Sequence, residues 1–248
     1  MAKSNNPFSV HNINYLSPSS INTYINDKPL WVMRYLFGMK SSGGASALRG
    51  IALEHTLSEK QEKGTFDFDG LDKKFISLCA EVGIDLAEPK CEKERKSLVK
   101  FGEVIDENFK YPKVKGYQER VEVMLDDFPI PIIGYVDFLF DDTVVDLKTT
   151  TRLPSQPTEA QLRQMALYSM AYPDKKMHLF FVSPKDHKKF ILKSLDKYKN
   201  QLKKAALTIQ RFLSLSDDKE ELANLEYPNT DSWMWSDRMK KEATKIWK

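Results

Sequence analysis

Apolar residues recur at helical spacing over most of the first 110 positions, then at every second residue from about 117 to 148, then at helical spacing again with two strand-like runs between. Ser17 is placed to cap a helix and Pro18 suits its first turn. Ile21, Tyr24 and Ile25 follow in register, Pro29 interrupts, and Leu30 to Phe37 resumes the pattern up to Gly38. Residues 1–16 read as a loose leader and Ser41 to Ala45 as a flexible link. Ala45 to about Lys60 predicts a helix with Leu48, Ile51, Ala52 and Leu57 as its apolar stripe, and His55 one turn after Ile51. Two more helices are expected at about 70–82 and 91–110, the second dense in charge.

After Tyr111-Pro112 the period changes to two. Tyr117, Glu119, Val121, Val123 and Leu125 share one parity, which puts Glu119 on a face with apolar neighbours. Asp126 to Pro129 reads as a hairpin connection, and Asp141-Asp142 as a tight turn between Ile132–Phe140 and Thr143–Lys148. Three strands with such short links predict an antiparallel meander. Thr158-Glu-Ala-Gln161 is a capping-box pattern opening a helix to about Ala171, with Gln161, Gln164 and Tyr168 on one face. Strands are expected at 176–182 and 187–193, and a long helix at about 194–213. A short acidic helix, an aromatic loop (Tyr227 to Trp235) and a basic terminal helix follow. The chain thus reads as α/β (α+β): a helical region at 1–112, a core at 113–215 and a C-terminal helical segment at 216–248, in one globular unit.

Composition narrows the chemistry. The 248 residues are 41% hydrophobic and 29% charged, with a net charge of +3, so a sizeable core is available and the chain is no polycation. Nucleic-acid binding would need local clustering, and Lys185, Lys188, Lys189, Lys193, Lys197, Lys199, Lys203 and Lys204 form the largest basic concentration. That cluster fits phosphate tracking and a merely solvated helix face equally. Two cysteines, Cys79 and Cys91, without a CxxC exclude a disulfide scaffold and a cysteine-rich metal cluster. No apolar run is long enough to span a bilayer and the first residues lack a signal-peptide core, so a cytosolic, non-membrane protein is expected.

The candidate chemistry lies in the two short-linked strands. Asp146 and Lys148 point to one side of their strand, Val145 and Leu147 to the other. About 6.5–7 Å of strand separates the acid and the amine, room for a cation and a phosphate oxygen. Asp137 supplies a second carboxylate from the neighbouring strand. Carboxylates among Val, Ile, Leu and Phe are costly unless paired or metal-bound. An ordinary ion pair on a solvated sheet is the plainer alternative.

In order and spacing, His55, Gly134-Tyr-Val-Asp137, Asp146-Leu-Lys148 and Gln164-Met-Ala-Leu-Tyr168 resemble the PD-(D/E)xK nuclease superfamily, in its RecB-like exonuclease branch. Ser17 to Tyr24 resembles that branch's first helix. The resemblance implies a restriction-endonuclease-like core, a central mixed sheet of about five strands flanked by helices, with the N-terminal helical region lending His55 to the site. It implies a DNA exonuclease acting in recombination, repair or phage genome processing, with Mg²⁺ or Mn²⁺ held by His55, Asp137, Asp146 and the carbonyl of Leu147. Asp137, Asp146 and Lys148 would be catalytic, Gln164, Tyr168 and Arg49 would meet nucleic acid, and Glu119 and Gln161 stand in a second tier. DNA is the implied partner, with a single-strand-annealing or other recombination protein beside it, in the cytoplasm (the host's, if phage-encoded). Relatives with an iron–sulfur cluster carry one cysteine in the first helical region and three near the C-terminus. Here Asn26 to Pro29 and Trp233 to Arg238 hold none, so no cluster is expected, and Trp233, Trp235 and Trp247 are expected to hold the C-terminal segment instead. An endonuclease with the same site, and a non-catalytic DNA-binding protein on a nuclease fold, remain the alternatives.

Overall fold

The computed structural model describes residues 6–39, 43–232 and 234–247. Its strands are β1 (Gly116–Val123), β2 (Ile132–Leu139), β3 (Thr143–Thr149), β4 (Lys176–Val182) and β5 (His187–Leu192), side by side in that order. The helices are α1 (Pro7–Val10), α2 (Pro18–Asn26), α3 (Lys28–Trp31), α4 (Ala45–Lys63), α5 (Phe68–Val82), α6 (Pro89–Asn108), α7 (Glu159–Ala171), α8 (Asp196–Leu213), α9 (Lys219–Ala223) and α10 (Asp237–Ile246), and a π-helical turn spans Val32–Leu36. β1, β2 and β3 form the expected antiparallel meander. β3 and β4 run parallel, because α7 makes the crossover between them, and β5 returns antiparallel. The result is a mixed five-stranded sheet flanked by helices, with a helical N-terminal region.

Helices cover both faces. On one, Ile132, Val136, Val144 and Leu179 pack with Ile21, Met165, Leu167 and Leu202 of α2, α7 and α8. On the other, Phe138, Val145, Leu147 and Phe180 pack with Leu53, Phe75, Phe101 and Ile105 of α4, α5 and α6. α7 starts in the expected capping box, Thr158 with Gln161, and α2 starts at the expected Ser17 cap, which Ser20 makes reciprocal. Among the described residues no helix is long and apolar enough to cross a membrane.

Two readings change. Residues 6–16 are not loose: Phe8 and Leu16 are buried, Leu16 N–H donates to the Pro131 carbonyl (3.0 Å), and its own carbonyl accepts from Ile133 (2.8 Å), while residues 1–5 of the expected leader lie outside the described residues. Apolar residues spaced eight, five and three apart carry no helical or strand period, so patterning does not reveal them. α4 is also rotated relative to the stripe read from the sequence. Leu48, Ala52, Leu53 and Leu57 are buried, while Ile51 is 46% exposed. At the C-terminus, Trp235 and Met239 pack against Leu30 and Met33, and Trp235 Nε1 donates to Asp27 Oδ2 (2.9 Å). Trp247 sits 6.3 Å from Trp235, centroid to centroid. These two tryptophans do hold the segment down; Trp233 lies outside the described residues.

Candidate active site

The site forms where two strands part. β2 and β3 pair through Phe138–Val145 and Leu139–Val144, and the ladder stops there. One step further on, Asp137 and Asp146 are left without that pairing. Val136 and Phe138 are two apart, yet they pack on opposite cores, so β2 turns over at Asp137. Across from it on β1, Gln118 has φ +50°, and the otherwise continuous β1–β2 register skips this pair. A non-glycine residue in that region is uncommon and clusters at functional sites. The parted strands leave the Leu147 N–H free, and Asp137 Oδ2 accepts it at 2.8 Å.

Asp146 is fully buried, and its Oδ1 has no hydrogen-bond partner. Lys148 Nζ lies 2.6 Å from Asp146 Oδ2. The gap expected between them is therefore closed by the lysine stem folding onto the acid, the nearest compensating charge. Burial pushes the Asp146 carboxyl upward against the pull of Lys148. Burial also holds Asp137 well above the usual carboxylate range, and the Asp146 charge adds to it. Burial alone would depress Lys148, but Asp146 and Asp137 outweigh it and its ammonium is held more firmly than usual.

From α4, the structure turns Glu54 rather than His55 toward this pocket. Gln118 Nε2 donates to Glu54 Oε1 and reaches Asp137 Oδ1 at 3.5 Å. Burial raises the Glu54 carboxyl, and the Asp146 charge adds to that. Glu54 in turn acts on Asp137 and Lys148. Successive helical residues point about 100° apart, so the two cannot share one direction. His55 lies one turn from the exposed Ile51, and its Nδ1 is 3.6 Å from Glu59 Oε2 on the same helix. Among the described residues no three His, Cys, Asp or Glu side chains stand close enough to cage an ion by themselves.

The other expected residues divide. A cleft of about 480 Å³ has Asp137, Gln118, Gln161, Gln164 and Tyr168 in its wall. Tyr168 is only 1% exposed: its hydroxyl donates to the Tyr135 carbonyl and accepts from Gln164 Nε2 (2.8 Å). It is a strut that sets Gln164 and the turn of β2. Gln161 gives its Oε1 to the Thr158 N–H (2.8 Å) as the helix cap. Arg49 does not face the cleft. It is 3% exposed, paired with Glu94, 3.3 Å from Thr149 Oγ1 and stacked on Phe101 (4.3 Å), so it joins α4 to α6. Glu119 is exposed on β1, where its charge acts on Tyr172. Half of the basic cluster is matched within the chain: Lys197 pairs with Glu159 (2.9 Å), Lys199 with Asp196 (3.3 Å), Lys203 lies 3.9 Å from Asp126, and Lys188 donates to the Pro154 carbonyl (3.1 Å).

Comparison with known proteins bears on the family and the fold. A family model described as the PD-(D/E)XK nuclease superfamily matches residues 15–245. The crystal structure of a provisionally assigned exonuclease from Eubacterium rectale shares the fold at a TM-score of 0.61, with 15% identity over 97% of this chain and 93% of that one. The structure of SSO0001 aligns over 74% of this chain and 84% of that one at 12% identity, but its TM-score of 0.35 carries no argument. The sequence matches no curated protein.

Proposed function

Because this chain belongs to the PD-(D/E)XK nuclease superfamily, we propose that its parted-strand pocket hydrolyses phosphodiester bonds of DNA, as an exonuclease, with Mg²⁺ or Mn²⁺. The single observation that carries this is the fully buried Asp146, whose Oδ1 is unpartnered beside a second buried acid. Two such carboxylates stay charged together only with a cation between or beside them.

The residues fit a hard divalent ion. Asp137 and Asp146 would hold it, with the Leu147 carbonyl and waters completing the shell, as suits Mg²⁺ bound through one or two carboxylates. When bound, the ion supplies Lewis-acid polarisation of the phosphoryl oxygen and a more acidic water. Lys148 neutralises charge developing on the phosphate and orients the attacking water. Glu54, through Gln118, holds Asp137 in place and takes the position on α4 that the sequence assigned to His55. Gln164, braced by Tyr168, contacts the DNA backbone at the mouth of the cleft. That this reading includes no iron–sulfur cluster rests on the sequence, since neither Asn26–Pro29 nor Trp233–Arg238 holds a cysteine.

The division into a helical region at 1–112, a nuclease core at 113–215 and a C-terminal segment at 216–248 belongs to the same reading. A role in recombination, repair or phage genome processing in the cytoplasm, beside a single-strand-annealing or similar protein, rests on the sequence resemblance alone. The test is digestion of end-labelled linear DNA and of the same DNA as a closed circle, with Mg²⁺ or Mn²⁺. Loss of the linear form with the circle intact is expected. Cleavage of the intact circle would make the protein an endonuclease.

A further inference from the structure

The cleft in front of Asp137 does not end at the acid pocket. Its wall continues through Tyr15, Ser17 and Ser19 into a second open cavity of about 470 Å³, with Arg34 and Tyr35 on its far side. Both of these lie in the π-helical turn Val32–Leu36. Such turns are rare and recur at functional sites. Tyr35 is held in place by stacking on the buried Trp31 at 5.5 Å.

Arg34 is poorly matched by its own chain. Its Nε is buried without a hydrogen-bond partner, and Nη2 makes one long bond, 3.4 Å, to the Met234 carbonyl. No carboxylate among the described residues pairs with it. A guanidinium left with open donors in a polar cleft fits a phosphate, which takes its planar fork. Two aromatic rings that the core does not use line the cleft: Tyr15, 50% exposed, where the two cavities meet, and Tyr135, 52% exposed, in the wall that also holds Asp137. Exposed tyrosines beside a cationic group form a platform on which unpaired bases stack. Bases inside a duplex are already stacked and offer no such face.

We infer that this annex holds the strand leading into the acid pocket as single-stranded DNA, with bases on Tyr15 and Tyr135 and a backbone phosphate on Arg34. The inference rests on the reading that DNA is cut at Asp137 and Asp146, but its test does not depend on cutting. Binding of a short fluorescein-labelled oligo-dT, and of a blunt duplex of the same length, is followed by anisotropy in Mg²⁺ with full-length Asp146→Asn protein. Tyr15→Ala on that background weakens oligo-dT binding by about five- to 160-fold, the worth of one stacked base. Arg34→Ala weakens it by about tenfold or more, the worth of a hydrogen bond to a charged group. Duplex binding changes little in either. Tyr15 is half-exposed, so its variant stays folded even if Arg34→Ala does not. Unchanged oligo-dT binding in both folded variants, or an equal loss for the duplex, overturns the inference. If wild-type protein cuts no DNA yet oligo-dT binding is lost with Tyr15 and Arg34, the annex stands and the nuclease reading falls. Robust cleavage with binding indifferent to both residues leaves the nuclease reading standing and removes the annex.

Discussion

Gly134→Ala tests how the fold brings the site together. Gly134 opens the Gly134-Tyr-Val-Asp137 motif, and its role is close approach. A Cβ there would stand 2.9 Å from Leu167 Cδ2, 3.0 Å from Tyr168 Cε1 and 3.5 Å from Val121 Cγ2. Ordinary carbon contacts lie at about 3.5–4.0 Å, so two contacts fall short by about 0.5 Å or more. Neither neighbour can retreat easily, since Leu167 is 0% and Tyr168 1% exposed. Overpacking of this kind costs about 1–3 kcal/mol. At about 2–4 °C per kcal/mol for a chain of this size, the thermal midpoint falls by about 2–12 °C. Urea denaturation of the single variants and of Gly134→Ala/Leu167→Ala measures the cause. Leu167→Ala alone costs about 2–5 kcal/mol for the cavity, and the added methyl fills part of it. The double variant therefore loses less than the sum of the two. Strict additivity, or a Gly134→Ala protein as stable as wild type, would refute close packing of α7 on β2 as the reason for this glycine.

Glu54→Gln is expected to lower DNA cleavage by at least about tenfold while His55→Gln leaves it near wild type, since only Glu54 is tied to the acid pair; steady-state rates on linear DNA with matched Mg²⁺ decide this. In EDTA, Asp137→Asn is expected to stabilise the protein, because burial makes the ionised carboxyl costly and the nearby Asp146 charge adds to that cost. The sign follows from linkage: a carboxyl raised in the folded state binds its proton more tightly there than when unfolded. Its cost is present above the folded pKa and relieved as pH falls through it, so the wild type closes the gap to Asp137→Asn on acidification, in urea melts at several pH values. Trp235→Ala is expected to cost about 3–5 kcal/mol through lost packing and the lost bond to Asp27, with α10 the first segment released under limited proteolysis.

Much of the fold was legible because its strongest signals are local. The meander follows from alternation and short links, α2 from its Ser17 cap and Pro18, and α7 from its capping box. Asp137, Asp146 and Lys148 stand out as charges in apolar strands, and the structure places them together. What could not be read depends on geometry between elements. The rotation of α4 turns on which of two neighbouring stripes meets β3, and exchanging Ile51 for Leu53 exchanges His55 for Glu54 at the site. Glu54 carries a faint signal, as an acid directly after the buried Leu53. Gln118 carries none, because its positive φ and its reach to Asp137 arise from the turn-over of β2 opposite. Arg49 looked available for phosphate only because its partner Glu94 lies on another helix, 45 residues away.

A buried acid pair beside Lys148, loaded with a divalent ion, is proposed to cut DNA. Release of end label from linear DNA is to be followed over time for wild type, Asp146→Asn and Lys148→Ala, purified identically, with Mg²⁺ and with EDTA. Mg²⁺-dependent release by wild type is expected, abolished by EDTA and reduced by about 10²-fold or more in each variant, the scale of losing a group that stabilises transition-state charge. Equal release by wild type and Asp146→Asn would contradict it.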